Sequence, residues 1–376
     1  MSKIKLETLT AVHVGSGEKL QYKTEFISNG DDIYVIDEYK ILELIGTEHI
    51  REWLTSIGED GNIVQLIKRF APQAKPADYS TRILALYASV NDGDTLKECI
   101  HDGCGRPYIP GSSIKGAIRT AILAEEVETA QISENELKDK YNKYTAENIE
   151  KRLFGTDPNR DLFRFLQIGD AFFEPGCEAA LRMVMYLNIT QRQDLVTTQD
   201  RKPQLAEVIW DGESEFRMNI NHRGYNLARQ GTIVNGSTYK VRELPVWLAS
   251  EKALLQTCNK HTIRLLEREI EFWESVSEEL TGADDYIDKL KKMLDYAKDC
   301  VGKAACVLRL GHAVGWDFIT GGWSRRFKCF DGGYNSIVDA TRPGNARYSQ
   351  YDFPKSRRLD ADEGDMLGFV RLTLVD

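Results

Sequence analysis

The stretch YIPGSSIKGAIRTAIL, Tyr108 to Leu123, decides how this chain is read, because its character changes within a few residues. Tyr108-Ile109 reads as the end of a short strand, Pro110-Gly111 as a turn, and the residues that follow as a helix. Ile114, Ile118 and Ile122 recur at every fourth position and form a buried stripe. Ser112 or Ser113 supplies the N-cap, since a hydroxyl there accepts from an orphan backbone N–H. Lys115 and Arg119 are also four apart, one step round from the isoleucines, which gives the helix a cationic edge. Gly116 keeps the backbone approachable between them. Helix N-terminal amides, the dipole and two cations together predict a phosphate-binding start built from Gly111, Ser112, Ser113, Lys115, Gly116 and Arg119. The plainer reading of the same residues is two solvated cations beside a capped helix. The G-x-x-x-x-G-K-[ST] spacing of nucleotide hydrolysis is absent.

A cationic helix start is at odds with the charge of the whole chain. Its 376 residues carry 49 Lys and Arg against 58 Asp and Glu, a net charge of -9. Such a chain repels polyanions, which argues against a free-standing, nonspecific nucleic-acid binder. Basic residues do concentrate locally: Lys303, Arg309, Arg325, Arg326 and Lys328 face only Asp317 in their segment, and Arg342, Arg347, Lys355, Arg357 and Arg358 face only Asp352. Acidic excess falls in Glu125 to Glu150 and Glu267 to Asp299, read as solvated helix faces. The pattern suits a subunit that grips nucleic acid locally and is surrounded by partners. A hydrophobic content of 42% at this length allows two medium domains with real cores.

Seven cysteines without a CxxC pair point to a reducing compartment rather than a disulfide scaffold. Cys99, His101 and Cys104 in CIHDGC are not followed by a second pair at metal-ligand spacing, so no metal or other cofactor is expected. The start, MSKIKLETLT, lacks the apolar core of a signal peptide, and no run of about 18 apolar residues occurs. The expected location is the cytoplasm, with no membrane partner.

Working outward from the opening stretch, KIKLETLTAVHV reads as a half-buried strand. Ile4, Leu6, Val12 and Val14 share one parity, while Lys5, Glu7 and His13 take the other. It ends in Gly15-Ser16-Gly17, a backbone able to approach a ligand. Asn29-Gly30 between apolar runs predicts a hairpin. Glu38 to Val90 reads as mostly helical, broken at Pro72 and Pro76. FGTDPNRD, Phe154 to Asp161, is a loop and sets a soft boundary between lobes 1–158 and 159–376. Beyond it, LQIGDAFF and AALRMVMYLNIT are strand-like, and AEVIWDGESEFRMNI predicts a second hairpin around Asp211-Gly212. Helices are expected over Leu244 to Val276 and Asp284 to Lys298. VLRLGHAVGWDFITGGWSRR then reads as a strand running into a glycine-rich loop, and MLGFVRLTLVD as a last strand. Strands and helices mingle without regular βα alternation, which predicts an α+β fold.

In chain order, AVHVGSGE, YIPGSSIKGAIRTAIL, LRLGHAVGW and FPKSRRL (Phe353 to Leu359) resemble motifs of the RAMP superfamily of CRISPR proteins. Within it they are most similar to the subunits that cap the 3′ end of the guide RNA in type III-A (Csm) effector complexes. The resemblance implies a ferredoxin-like (RRM-like) fold in two lobes, with helical insertions and a glycine-rich loop. It implies a non-catalytic subunit that binds the 3′ portion of CRISPR RNA and contributes to guide maturation and complex assembly in antiviral defence. The partners it implies are a RAMP backbone subunit and the small subunit of the complex, with host nucleases as further candidates. In that family the stretch matching Gly111 to Arg119 and the loop matching Gly311, His312 and Gly315 lie near the RNA. Gly15, Ser16, Gly17, Arg325 and Arg326 complete the candidate RNA-binding set. The family pattern has a third glycine where this chain has Ala313, and alanine disfavours the positive φ such a loop needs.

A rival reading is catalytic. His13 and His312 flank the two glycine turns, and a histidine pair can cleave RNA by acid-base chemistry on its 2′-OH without a metal. Against it, His13 falls on the polar parity of its strand, where a solvated or hydrogen-bonding histidine is expected. Asp31, Asp32 and Asp37 sit in or beside a hairpin and read as turn residues rather than catalytic aspartates. Trp316, Phe318, Trp323 and Phe327 interleave with Arg325, Arg326 and Lys328; Trp316 and Phe318 are assigned to the core and the two arginines to RNA. No enzymatic activity is therefore expected. The alternatives are a metal-independent ribonuclease acting on precursor CRISPR RNA, or another RAMP subunit of the same complex.

Overall fold

A computed structural model describes residues 1–58, 61–130, 132–133, 136, 146–189, 195–198, 204–230, 232–234, 237–239, 244–276, 283–319, 323 and 357–375. Two sheets dominate it, and each draws strands from both sides of residue 158. The first is five-stranded and antiparallel throughout, in the order Ala305–Arg309, Phe369–Leu374, Ser2–Thr8, Glu213–Ile220, Leu166–Ile168. Ile4 and Leu6 of the central strand and Phe216 and Met218 of its neighbour share a core with Ile114, Ile118 and Ile122 of helix Gly111–Thr129. Leu254, Leu255 and Cys258 of helix Glu251–Val276 close the same core. The isoleucine stripe is fully buried; at about 1.5–3 kcal/mol per side chain it outweighs the polar face of that helix. Helix Ala283–Asp299 packs its buried Tyr286, Leu290 and Met293 against Leu266 and Trp273 of the long helix in a second cluster.

The second sheet is nine-stranded and mixed. Its main path runs Gly15–Gln21, Thr95–Cys99, Gln204–Ile209, Glu178–Ile189, Ser80–Leu86, Asp32–Ile36, Phe26–Asn29. Leu195–Thr198 and Arg357–Asp360 also pair with the long strand Glu178–Ile189. Asn29-Gly30 turns the hairpin as expected, with Gly30 at φ 63. Among the described residues no helix is long and apolar enough to cross a membrane.

Three local expectations are corrected. The run KIKLETLTAVHV is a strand only to Thr8; Val12 then bridges Ile209 of the other sheet, and the chain passes between the two sheets. Asp211-Gly212 does not close a hairpin. Gln204–Ile209 and Glu213–Ile220 belong to different sheets, and the turn carries the chain across with Asp211 at φ 50. Thr8 pins that crossing, its hydroxyl bonding both the Gly212 N–H at 2.8 Å and the carbonyl at 3.2 Å. Within Glu38 to Val90, helices Glu38–Ile45, Ile50–Ser56 and Ile63–Phe70 form, but Ser80–Leu86 is a strand whose weak alternation hides it.

Candidate nucleic-acid interface

The opening helix is built differently from its sequence reading. Pro110 occupies the cap position, and neither Ser112 nor Ser113 caps the helix. Instead the Gly111 N–H donates to the Asp170 carboxylate at 2.7 Å, which is the favoured pairing of an anion with a helix start. A Cβ on Gly111 would lie 2.3 Å from the Ile168 carbonyl oxygen, so this glycine is needed for close packing on the neighbouring strand. Lys115 Nζ donates to the Leu166 carbonyl at 2.7 Å, and burial lowers its pKa. Arg119 donates to Glu150 and Asp161, both at 2.9 Å, with its guanidinium over the Phe154 and Phe163 rings at 4.7 and 4.9 Å from their centroids. The cations at the helix start are thus held by groups of their own chain. Gly116 is exposed with open space above it.

The two glycine turns do converge. The His312 N–H donates to the His13 carbonyl at 2.8 Å, and the two rings lie 5.7 Å apart, edge to face. Gly311 has φ 89, and a Cβ there would lie 2.5 Å from the His13 carbonyl oxygen; only glycine allows this approach. Ala313 takes φ 68, the left-handed conformation that alanine disfavours, and Gly315 takes φ 85 beside open space. Gly15 opens the edge strand opposite Cys99; Gly17, at φ 101, and Ser16 are exposed. The Ser16 hydroxyl donates to Glu98 at 3.0 Å. Of the two outcomes that its parity suggested, solvated or hydrogen-bonding, His13 takes the second. It is buried, because the chain has left its strand by residue 9, and its Nδ1 lies 2.6 Å from the Glu207 carbonyl oxygen.

Two cations that the sequence did not single out as a pair meet at this loop. His312 Nε2 lies 3.1 Å from Lys97 Nζ and 3.2 Å from Arg358 Nη1. Burial, then the charges of Lys97, His13 and Arg358, push the His312 imidazole down to about 4, so at neutral pH it is an acceptor for both cations. Lys19 lies across the edge strand from Lys97 in register. Among the described residues neither Lys97 nor Arg358 has an acidic partner, and Lys97 is lowered by burial and by the neighbouring Arg358 and Lys19. Among the described residues the cluster is therefore a half-buried positive site without an acidic partner, beside exposed glycine backbone, a chemistry suited to a phosphate.

Arg358 comes from FPKSRRL, of which Arg357–Asp360 is a strand; its neighbour Arg357 points the other way, to Glu269. Phe353 to Ser356, Arg325, Arg326 and Phe327 lie outside the described residues. Phe318 packs against Phe369, and Trp323 is buried, both as core. Lys97 left no local signal beyond a short alternating run, since its partners are 215 and 261 positions away in sequence.

A second polar cluster adjoins the loop. Arg82 donates to Glu207 and to Glu98, each at 2.9 Å, and His101 faces Glu178 and Glu207. Cys104, the third member of CIHDGC, is exposed, and the Cys99 thiol turns to the Glu207 carbonyl oxygen.

Comparison with known proteins places these elements. A chain of a type III-A Csm–crRNA–target RNA ternary complex superposes with a TM-score of 0.68 over 99% of this chain and 100% of that one, at 19% identity. The Csm5 protein of T. onnurineus superposes with a TM-score of 0.54 over 97% and 99%, at 20% identity. Two curated proteins named CRISPR system Cms protein Csm5 are similar in sequence. The Streptococcus thermophilus protein is 29% identical over 188 residues, 45% of this chain and 51% of its own. The Methanocaldococcus jannaschii protein is 28% identical over 183 residues, 45% of this chain and 42% of its own. The matched region thus spans about half the length of these relatives. The sequence pattern of the RAMP superfamily matches residues 5–327, which takes in the second half of the central strand of the first sheet, the opening helix and both glycine turns: the chain belongs to the RAMP superfamily.

Proposed function

We propose that this protein is a non-catalytic guide-RNA-binding subunit of a type III-A CRISPR effector complex, seated on the 3′ portion of the guide. The observation that carries the reading is the meeting of three separate motifs at one positive site: His13 and the Gly15–Gly17 turn, the Gly311–Gly315 loop, and Arg358. Lys97, Lys19 and Arg358 offer charge to phosphates, and the exposed turns offer backbone, so a guide of any sequence can be held. The first sheet, read as strands 4-1-3-2 with Ala305–Arg309 added at the edge and two helices on one face, supports a ferredoxin-like core for this RNA-binding unit. Lys115 and Arg119 act in this reading as supports of the helix start, since their donors already have protein acceptors. Arg325 and Arg326, which lie outside the described residues, are kept in this reading as RNA contacts on their sequence alone. The neighbouring subunits are a RAMP backbone subunit and the small subunit, in the cytoplasm.

The paired histidines favour binding over cleavage. General acid-base cleavage needs one imidazolium to protonate the leaving group, whereas burial lowers the pKa of both His13 and His312. The test is fluorescence anisotropy of a labelled guide 3′ fragment across a salt series, with precursor incubated in EDTA alongside. Lys97→Ala with Arg358→Ala weakens binding and reduces the salt slope by about 1.4, at roughly 0.7 per released phosphate contact on a single strand. Unchanged affinity and slope sink the assignment of the site, and metal-free cleavage that disappears in His312→Ala establishes the ribonuclease reading instead.

A further inference from the structure

We propose that His101, Glu178 and Glu207 form a binding site for one divalent metal ion, zinc or manganese, next to the first glycine turn. The starting observation is a buried nitrogen without a hydrogen bond. The His101 side chain is 9% exposed. Its Nδ1 lies 3.0 Å from the Cys99 carbonyl oxygen, which can only accept, so Nδ1 carries the proton. Nε2 then points at Glu178 Oε1 and Glu207 Oε1, at 3.5 and 3.4 Å, outside hydrogen-bond geometry. The two carboxylates call for a cation at Nε2: a proton there makes the imidazole itself that cation, and a metal ion takes its place by displacing the proton and binding the lone pair.

The spacing fits a metal. The three donor atoms lie within 4.8 Å of one another, and no other group of three such donors comes this close among the described residues. Ligands about 2.1 Å from a tetrahedral ion sit about 3.4 Å apart, which is the separation between Nε2 and each carboxylate here. His101 and Glu178 are oriented from behind, as metal ligands are, whereas Glu207 also accepts Arg82 Nε on Oε1, the oxygen it turns toward the site. Glu178 Oε2 accepts the Gly176 N–H at 2.7 Å. Glu207 accepts Arg82 Nε at 2.9 Å, Arg82 Nη2 at 3.1 Å and the Cys99 N–H at 2.9 Å. Glu98 and Glu207 share the one Arg82 guanidinium, and Glu178 is paired only with His101 among the described residues, so the carboxylates outnumber the fixed cations around the site and favour a bound cation. Glu178 also lines an open cavity of about 570 Å³ shared with Tyr87, Trp210 and Glu174, which gives an entry path and room for a coordinated water. One imidazole with two carboxylates suits zinc or manganese, not a thiophilic ion. The ion ties the loop after Thr95–Cys99 to the strands that begin at Glu178 and contain Glu207, whose carbonyl holds His13.

The competing occupant is a proton on Nε2. EDTA-stripped full-length protein is titrated with Mn²⁺, followed by electron paramagnetic resonance, and with Co²⁺, followed by absorption. Expected are one ion per chain, a cobalt spectrum without a thiolate charge-transfer band, a metal-dependent rise in melting temperature, and affinity about tenfold or more weaker in Glu178→Gln. Glu178→Gln keeps the Gly176 contact and is the decisive variant; His101→Gln, checked by circular dichroism for folding, should behave alike. Cys104→Ser should bind as wild type. Absence of stoichiometric binding, binding unchanged in Glu178→Gln, or a thiolate band lost with Cys104→Ser overturns the proposal.

Discussion

Arg357 and Arg358 are adjacent on one strand, yet their substitution should affect different properties. Arg357 is 10% exposed and paired with Glu269, which is 14% exposed. Its Nη2 donates to Glu269 Oε2 at 2.9 Å, and Trp273 Nε1 and Tyr286 Oη donate to Glu269 Oε1 at 3.0 and 3.1 Å. Burial alone would raise the Glu269 carboxyl, but the Arg357 guanidinium and these donors hold it at about 2. Arg357→Met removes the cation and leaves the carboxylate buried, which costs about 3–5 kcal/mol, more than the side chain's own packing can return. The expected fall in melting temperature is about 4–6 °C for a chain of this length. Glu269→Gln with Arg357→Met should recover most of it, because the amide oxygen still accepts from Trp273 and Tyr286 with no charge to neutralise. The pH dependence has a definite sign. The pair's contribution is present above the ordinary carboxylate value of 4.5 and is lost as pH falls toward 2. The gap between wild type and Arg357→Met is therefore widest at neutral pH and narrows in acid, where protonation neutralises the orphan. The assay is urea unfolding of both single variants and the double variant at two pH values. A double variant no more stable than Arg357→Met, or a gap that widens in acid, refutes the reasoning. Arg358→Ala should leave the unfolding midpoint near wild type and weaken RNA binding alone.

Gly311→Ala should destabilise by about 2–4 kcal/mol, from left-handed strain plus the clash with the His13 carbonyl, read by thermal unfolding. Ala313→Gly should stabilise by up to about 1 kcal/mol, since relief of positive-φ strain exceeds the added unfolded-state freedom; a lower melting temperature would contradict the strain. Arg119→Ala should cost about 1–2 kcal/mol through its two carboxylates and two aromatic rings while leaving the salt slope of RNA binding unchanged, so a reduced slope restores its phosphate role. Stability near His312 should fall as pH drops from about 6.5 toward 4, because the folded state must take up a proton it resists, and His312→Gln should flatten that decline.

The sequence made periodic features legible and left crossings hidden. Ile114, Ile118 and Ile122 gave away the buried face of the opening helix, and Asn29-Gly30 the hairpin, because both signals are local. Asp211-Gly212 misled for the same reason: two alternating runs flank it, but which sheet each run joins depends on partners as distant as Ser2–Thr8 and Glu178–Ile189. The serine cap failed because Asp170, 59 positions away from Gly111, is the stronger acceptor for the first amide. At the candidate site, the glycine turns and His312 were legible as motifs. Lys97 was not, since what distinguishes it is its place beside His312 and Arg358 with no acidic partner among the described residues, a property of the assembled surroundings.

That lack also answers how an acidic chain presents a positive surface. Among the described residues, five buried or half-buried arginines are already neutralised: Arg82 by Glu98 and Glu207, Arg119 by Glu150 and Asp161, Arg182 by Asp94, Arg357 by Glu269, Arg371 by Glu7. Each pair contributes nothing to the field beyond about a Debye length, roughly 8–10 Å. The acidic excess of -9 therefore counts mainly where acids are unpaired, on the outer faces of helices such as Ala283–Asp299. Lys97 and Arg358 share a neutral imidazole instead of a carboxylate, so among the described residues their charge is uncancelled, and their half-buried position lets it act through a lower dielectric. Had His312 been an aspartate, the same geometry would have been one more internal salt bridge. The prediction that separates these cases is His312→Asp: it should preserve the contacts to Lys97 and Arg358, hold or raise stability, and yet weaken RNA binding and lower its salt slope by about 0.7 to 1.4. Anisotropy and unfolding on one preparation decide it, and undiminished binding in a stable His312→Asp protein would place the phosphate site elsewhere.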